Sequence, residues 1–123
     1  MNNNIEISAV GVELNDETRD YIYKKIDGLR KFVDFKDENV STDIRISRMV
    51  GQQRSGKVYR AEIGIIMSGK RIGARGDGST VWEAIDLAKD AISKKISSYR
   101  GKRNSLFKKG SVKVKGFLKK FYR

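Results

Sequence analysis

The sequence contains no cysteine and no histidine. Without cysteine, the chain cannot form a disulfide, present a thiol nucleophile or bind a metal through thiolate ligands. Without histidine, it lacks the usual general base near neutral pH and the commonest zinc ligand. No nucleophile paired with a base stands out among the remaining residues. We therefore expect a protein that is not an enzyme and that has no metal site and no cofactor.

Long apolar runs are also missing. No stretch approaches the roughly 20 residues that a helix needs to cross a membrane. The segment from Met1 to Ser8 is polar and lacks the charged start and apolar run of a signal peptide. A chain of 123 residues, 38% of them hydrophobic, suits one modest core. The expectation is a cytoplasmic protein with one folded domain.

Acidic residues are absent from the C-terminal end, so the charge is unevenly distributed. Most of the formal net charge of +12 comes from the segment that starts at Gly101. Its nine basic residues are Lys102, Arg103, Lys108, Lys109, Lys113, Lys115, Lys119, Lys120 and Arg123. Such an asymmetry indicates a polyanionic partner: RNA, DNA or an anionic membrane. We predict a domain over residues 1–102 and a basic tail, 103–123, that is disordered when free because it cannot bury a core.

Alternating apolar and polar residues predict four strands. They are marked by Ile5 to Ala9, Thr42 to Ile46, Tyr59 to Met67 and Ile72 to Ala74, and the glycines from Gly76 onwards should end the last one. A polar stretch with two glycines, 49–57, predicts a long and mobile hairpin loop.

Two apolar stripes with helical spacing predict two helices. Asn15 is a suitable N-cap for the first helix, which should end near Val33, and Thr80 with Glu83 forms a capping box for the second, which should end at Gly101. The stripes consist of Ile22, Ile26, Leu29 and Val33, then of Val81, Ile85, Ala88, Ile92, Ile96 and Tyr99. Trp82 is expected to pack in the core. The order β-α-β-β-β-α predicts an α+β fold, a four-stranded sheet with both helices on one face, plus the basic C-terminal tail.

The glycine-rich stretch 73–80 precedes a helix, as a phosphate-binding loop does. It does not follow the G-x-G-x-x-G pattern, no Lys-Ser or Lys-Thr pair closes it, and Asp77 would repel a phosphate. We therefore interpret it as a turn followed by a capped helix.

Three segments resemble the hibernation-promoting factor and protein Y family in its short form. They are Ile5-Glu-Ile-Ser-Ala-Val-Gly-Val-Glu-Leu14, then Thr18 to Phe32, and Gly78-Ser-Thr-Val-Trp-Glu-Ala-Ile-Asp-Leu-Ala-Lys89. The resemblance extends over roughly residues 4–102. It implies a protein that binds the small ribosomal subunit between head and body and covers the channel of mRNA and tRNA, so that stored ribosomes do not translate.

The resemblance also implies which residues contact rRNA. Basic residues on the two helices do so in that family, and they match Lys25 and Lys31 on the first helix and Lys94 and Lys102 at the end of the second. The chain departs from the pattern with Gly28, Ala91 and Ser98, where the family has basic residues. We expect other cations to compensate: Lys95, Arg100, Arg103, Lys108 and Lys109.

Two other interpretations remain open from the sequence. A general RNA-binding module would fit, because the α-β-β-β-α part of the order is also that of double-stranded-RNA-binding domains. A membrane-surface or partner-protein adaptor would fit if the tail folds into an amphipathic helix. Our first choice is a hibernation factor whose partners are the small ribosomal subunit and its rRNA, with no small-molecule substrate and no membrane. No second, dimerising domain is evident, so we expect a monomer when free.

Overall fold

The computed structural model describes the backbone of residues 4–49 and 58–114, with side chains as far as residue 99. Within these ranges the elements are β1 (Ile5–Val10), α1 (Asp16–Asp27), β2 (Ser41–Arg48), β3 (Tyr59–Met67), β4 (Lys70–Gly78) and α2 (Val81–Val114). The predicted order β-α-β-β-β-α and the α+β class are confirmed. The predicted hairpin loop, apart from Met49, and the last part of the tail, 115–123, lie outside the described residues.

The strands form one sheet in the order β1-β2-β3-β4. β1 pairs with β2 in parallel, and the other two pairs are antiparallel. A parallel pair needs a long crossover connection, which α1 provides. The β3–β4 hairpin turns through Ser68 and Gly69, which both have positive φ angles, 53° and 74°, as a tight hairpin turn requires.

The core lies between one face of the sheet and the two helices. Ile44, Ile46, Ile63 and Ile65 alternate along β2 and β3 and are at most 2% exposed. The apolar stripes of the helices meet them, as predicted: Ile22, Ile26, Leu29, Val33, Ile85, Ala88, Ile92 and Ile96 are all buried. The side chains between the buried strand residues therefore form a second, open face of the sheet.

The helix α1 is shorter than predicted. It ends at Asp27 rather than near Val33, and tighter turns follow, in which Leu29 N–H donates to Ile26 O (2.9 Å) and Phe32 N–H to Leu29 O (2.9 Å). Gly28 is a weak helix former, which favours the end of α1 at this point. The turns keep the chain coiled, so Leu29 and Val33 are still buried.

The strand β4 is longer than predicted, because its glycines continue it instead of breaking it. A Cβ at Gly76 would clash with the backbone N of Ala88 and lie 2.7 Å from Ala84 O, and a Cβ at Gly78 would lie 2.8 Å from Ala84 N. Real Cβ atoms essentially never come so close to a backbone. These two glycines therefore allow α2 to pack directly on the backbone of β4.

Both predicted N-caps of the helices are confirmed. Asn15 Oδ1 accepts from Thr18 N–H (2.8 Å), and Thr80 Oγ1 accepts from Glu83 N–H (3.1 Å). The Glu83 carboxylate reaches back to Ser79, where it accepts from the backbone N–H at 2.7 Å.

The helix α2 continues to Val114, well past the end predicted at Gly101. Once a helix has formed, each further residue adds a hydrogen bond at little cost, and a single glycine weakens the helix by only about 1 kcal/mol. The division into a domain, 1–102, and a tail that is disordered when free remains a prediction.

Candidate nucleic-acid interface

The two helices meet at a cluster of four side chains centred on Asp86, which we call the Asp86 cluster: Tyr21, Lys25, Trp82 and Asp86. Tyr21 Oη donates to Asp86 Oδ1 at 2.5 Å, and Lys25 Nζ lies 3.2 Å from the same oxygen. The rings of Tyr21 and Trp82 pack edge to face, with centroids 4.1 Å apart. Trp82 is 37% exposed, so it covers the helix pair from outside instead of packing in the core as predicted.

Asp86 raises the pKa values of both of its partners, Lys25 and Tyr21. Its hydrogen bond with Lys25 raises the pKa of the ammonium group, against a smaller opposing effect of burial. Its hydrogen bond with Tyr21 raises the pKa of the phenol, and burial adds to this effect. Lys25, one of the predicted rRNA contacts, is thus an ion-paired cation, and its side chain is only 33% exposed.

These shifts predict how stability depends on pH. Both groups hold their protons more tightly when folded, so the stability that they contribute is present at neutral pH. It should be lost as the pH rises above 10.0 for Tyr21 and 10.5 for Lys25, the ordinary values for the unfolded chain. Asp86→Asn should flatten this decline in urea denaturation curves, while at neutral pH it should cost less than about 1 kcal/mol, because the ion pair is partly exposed.

The matched control is Asp27→Asn. Asp27 pairs with Arg30 at 3.0 Å on a far more exposed part of the surface. Its loss should leave the decline above pH 10 as it is in the unmodified protein. Equal declines in Asp86→Asn and in the unmodified protein would contradict the proposed role of the cluster.

A second cation lies between the helices, which the sequence analysis did not single out. A Cβ at Gly28 would lie 3.5 Å from Lys89 Nζ, so this ammonium group reaches from α2 to the C-terminal end of α1. The negative end of the α1 dipole favours a cation there. The sequence signal for this contact is the small residue Gly28 at the end of α1 together with Lys89, which lies about one helical turn after Asp86.

Three other predicted contacts have described side chains: Lys31, Lys94 and Lys95. Lys31 lies in the turns after α1 and not on the helix as predicted, because α1 ends at Asp27. It is exposed, with Nζ 5.3 Å from the centroid of the Phe32 ring, and Lys94 is exposed on α2. Lys95 points to the sheet, where its Nζ donates to Gly73 O of β4 at 2.6 Å. Lys95 therefore has a backbone partner on β4, whereas Lys31 and Lys94 are exposed on the surface.

The remaining predicted contacts lie on the last turns of α2. Their side chains are beyond the described ones, but the helical backbone places them along one rod: Arg100, Lys102, Arg103, Lys108 and Lys109. With a rise of 1.5 Å per residue, the helix between Lys94 and Lys109 is roughly 22 Å long. A cationic helical segment of this length suits contacts with several phosphates better than the binding of one small anion.

Other kinds of site are not evident in the described part of the chain. No cluster of three or more Asp, Glu, His or Cys residues there could hold a metal ion. None of the described helices is long and apolar enough to cross a membrane.

Two solved structures share this fold. The crystal structure of the Thermus thermophilus Protein Y N-terminal domain is 23% identical, with a TM-score of 0.61, and the match covers 76% of this chain and 94% of that one. A ribosomal subunit interface protein from Coxiella burnetii is 17% identical, with a TM-score of 0.58, and the match covers 79% and 97%. No curated protein matches the chain.

The sequence itself matches a protein family. Residues 5–104 match the family described as Sigma 54 modulation protein / S30EA ribosomal protein. These residues include all four strands, α1 and most of α2. This agrees with the predicted resemblance to hibernation-promoting factors and protein Y. The chain therefore belongs to the Sigma 54 modulation protein / S30EA ribosomal protein family.

Proposed function

We propose that this protein binds the small ribosomal subunit through rRNA, occupies the channel of mRNA and tRNA, and thereby inhibits translation in stored ribosomes. The match of residues 5–104 to a family of ribosomal proteins is the observation that carries the proposal. The two related structures support it by their names, one a Protein Y and the other a ribosomal subunit interface protein.

The charge distribution supports the choice of rRNA as the contacted component. Lys31 and Lys94 are exposed, and α2 continues as a helix through a segment without acids. Lysine and arginine that contact phosphates release counterions and give affinity without reading the base sequence. Lys25 should contribute less than Lys94, because Asp86 already neutralises it.

The proposal describes a protein that blocks a site rather than one that catalyses a reaction. The description of the family mentions a ribosomal protein and the modulation of a sigma factor, and it mentions no enzyme activity. We further propose a cytoplasmic monomer when free, with no small-molecule substrate.

Sedimentation with purified subunits tests the proposal. We expect the protein to co-sediment with small subunits and to compete with initiator tRNA or mRNA for them. The binding constant should fall steeply with salt, by roughly 0.7–0.9 in the logarithmic slope for each phosphate contact. Co-sedimentation with large subunits alone would contradict the proposal, as would binding without competition.

A general RNA-binding module is the second candidate, and one feature of the fold favours it. The segment α1-β2-β3-β4-α2 has three antiparallel strands with both helices on one face, the arrangement of double-stranded-RNA-binding domains. This candidate predicts equal affinity for an RNA duplex of about 16 base pairs and for the small subunit. A clear preference for the subunit would exclude it.

A further inference from the structure

The open face of the sheet has a charge pattern that the helices do not explain. The strand register aligns Arg45 of β2 with Glu62 of β3, and Glu62 with Arg75 of β4. All three side chains are exposed. In the part of the chain that the structure describes, neither arginine has an ion pair within 4.0 Å. This row therefore presents two available guanidinium groups on either side of one carboxylate.

A third guanidinium group, of Arg71, lies flat against the neighbouring part of this face. Gly64 and Gly73 pair with each other across β3 and β4. A Cβ at Gly64 would lie 2.5 Å from Arg71 Cζ, and one at Gly73 would lie 2.8 Å from Arg71 Nη1. The two glycines therefore form a floor on which the guanidinium rests, with Nη2 3.1 Å from Asp43 Oδ1. The Arg71 side chain is still 55% exposed, so it can meet a ligand from outside.

The edge of β4 adds two lysines to this surface. Lys95 reaches it from α2 through its hydrogen bond to Gly73 O, and Lys70 lies with its Nζ 5.4 Å from the centroid of the Tyr99 ring. Two adjoining depressions share Arg71, Gly73 and Lys95 in their walls, with volumes of about 670 Å³ and 370 Å³. The larger is also lined by Arg45 and Arg75, the smaller by Lys70 and Tyr99.

The charges of these depressions leave a positive surplus. Five cations line them, Arg45, Lys70, Arg71, Arg75 and Lys95, against Asp43 and Glu62 as acids. Farther along the same face the charges cancel, because Arg60 binds Asp77 with two hydrogen bonds, 2.8 Å and 3.1 Å long. The surplus thus lies around the two depressions, and we call this surface the sheet-face site and define it by its five cations.

We propose that the sheet-face site binds the phosphate backbone of a second RNA segment, along the open face of the sheet and over the edge of β4. Planar guanidinium groups match phosphate oxygens in pairs, and a low floor of glycines lets a backbone approach closely. The depressions are open and shallow, which suits a continuous strand better than an enclosed small molecule. The choice of RNA rests on the function proposed above. RNA would then contact both the helices and the open face of the sheet.

Three variants test this site in the full-length chain. Arg45→Gln with Arg75→Gln removes two available cations, and it should flatten the salt slope of small-subunit binding by roughly 1.4–1.8. Affinity should then fall about tenfold at physiological salt. Glu62→Gln removes the acid between them and should tighten binding severalfold. Arg60→Gln with Asp77→Asn is the matched control on the same face, since it removes one cation and the acid that it binds, at constant net charge, and should leave the slope unchanged.

The outcomes separate this inference from the proposed function. If the unmodified protein binds small subunits and the Arg45 and Arg75 variant binds with the same slope, the sheet-face site is wrong and the proposed function stands. If the unmodified protein does not bind small subunits, the proposed function fails, and the same variants are measured on poly(U). Weaker binding of poly(U) by the double variant would then support the site, and unchanged binding would overturn it.

A protein ligand is the competing occupant, because an acidic peptide offers carboxylates to the same guanidinium groups. Polyglutamate serves as the probe for it. If the double variant loses affinity for polyglutamate and keeps its affinity for poly(U) and for the subunit, the assignment to RNA is overturned. Thermal unfolding of each variant checks that the fold is intact, above all for Arg60→Gln with Asp77→Asn, because those two side chains are only 28% exposed.

Discussion

Replacing Gly76 by alanine should lower the free energy of unfolding by about 3 kcal/mol, a large effect for one methyl group. The added Cβ would clash with the backbone N of Ala88 and lie 2.6 Å from the Cβ of Leu87. Backbone atoms cannot move aside as a flexible side chain can, so α2 would have to lift from β4. Urea denaturation followed by far-UV circular dichroism measures the loss.

Gly28→Ala is the matched control for this substitution. Gly28 has an ordinary φ of −65°, and a Cβ there would meet no atom closer than 3.2 Å. Alanine also restricts the unfolded chain, which offsets part of any strain, so the change should stay within about 1 kcal/mol. Equal losses for the two variants would show that close packing of α2 on β4 does not explain Gly76.

A chain that stops after Lys102 should bind small subunits on the order of a hundredfold more weakly at physiological salt. The truncation removes eight of the nine basic residues that follow Gly101. If half of them contact phosphates, the logarithmic salt slope should become shallower by roughly 3. Stability should be unchanged, because the buried hydrophobic residues of the described chain lie between Ile22 and Ile96.

A full-length variant with the same eight residues changed to glutamine separates charge from length. Its salt slope should be as shallow as that of the truncated chain. If it binds more tightly than the truncated chain, the difference measures the contribution of aromatic residues such as Phe107, Phe117 or Tyr122. Stacking on an unpaired base contributes about 1–3 kcal/mol. A truncated chain that binds as tightly as the full chain would exclude the tail from the interface, and loss of folding would move the domain boundary beyond residue 102.

Local patterns in the sequence were sufficient for the elements and the core. The alternation through Ile44 and Ile46 and the stripe from Ile22 to Val33 predicted which side chains are buried, because the periods of strands and helices depend on nearest neighbours alone. The caps at Asn15 and Thr80 are equally local. The resemblance to known relatives added the family, which the match over residues 5–104 bears out.

The error in the bounds of β4 arose because a distant partner outweighed a local preference. Gly76 and Gly78 have the composition of a break, yet they continue β4, because α2 needs their missing side chains in order to pack. At the end of α1 a local preference prevailed instead, since the helix ends at Asp27, just before Gly28. The apolar stripe continues in the tighter turns that follow, where Leu29 and Val33 are buried.

By itself, the sequence determined the order of the elements, the face of each that is buried, and the excess of positive charge near the C-terminus. Only the tertiary structure decided which cations are available to a ligand. It placed Asp86 against Lys25, the backbone of Gly73 against Lys95, and the floor of Gly64 and Gly73 beneath Arg71. The contacts of Asp86 with Lys25, of Gly73 with Lys95 and of Gly64 with Arg71 join residues on different elements. Whether a charge is neutralised depends on distances of 3–4 Å that no local pattern specifies.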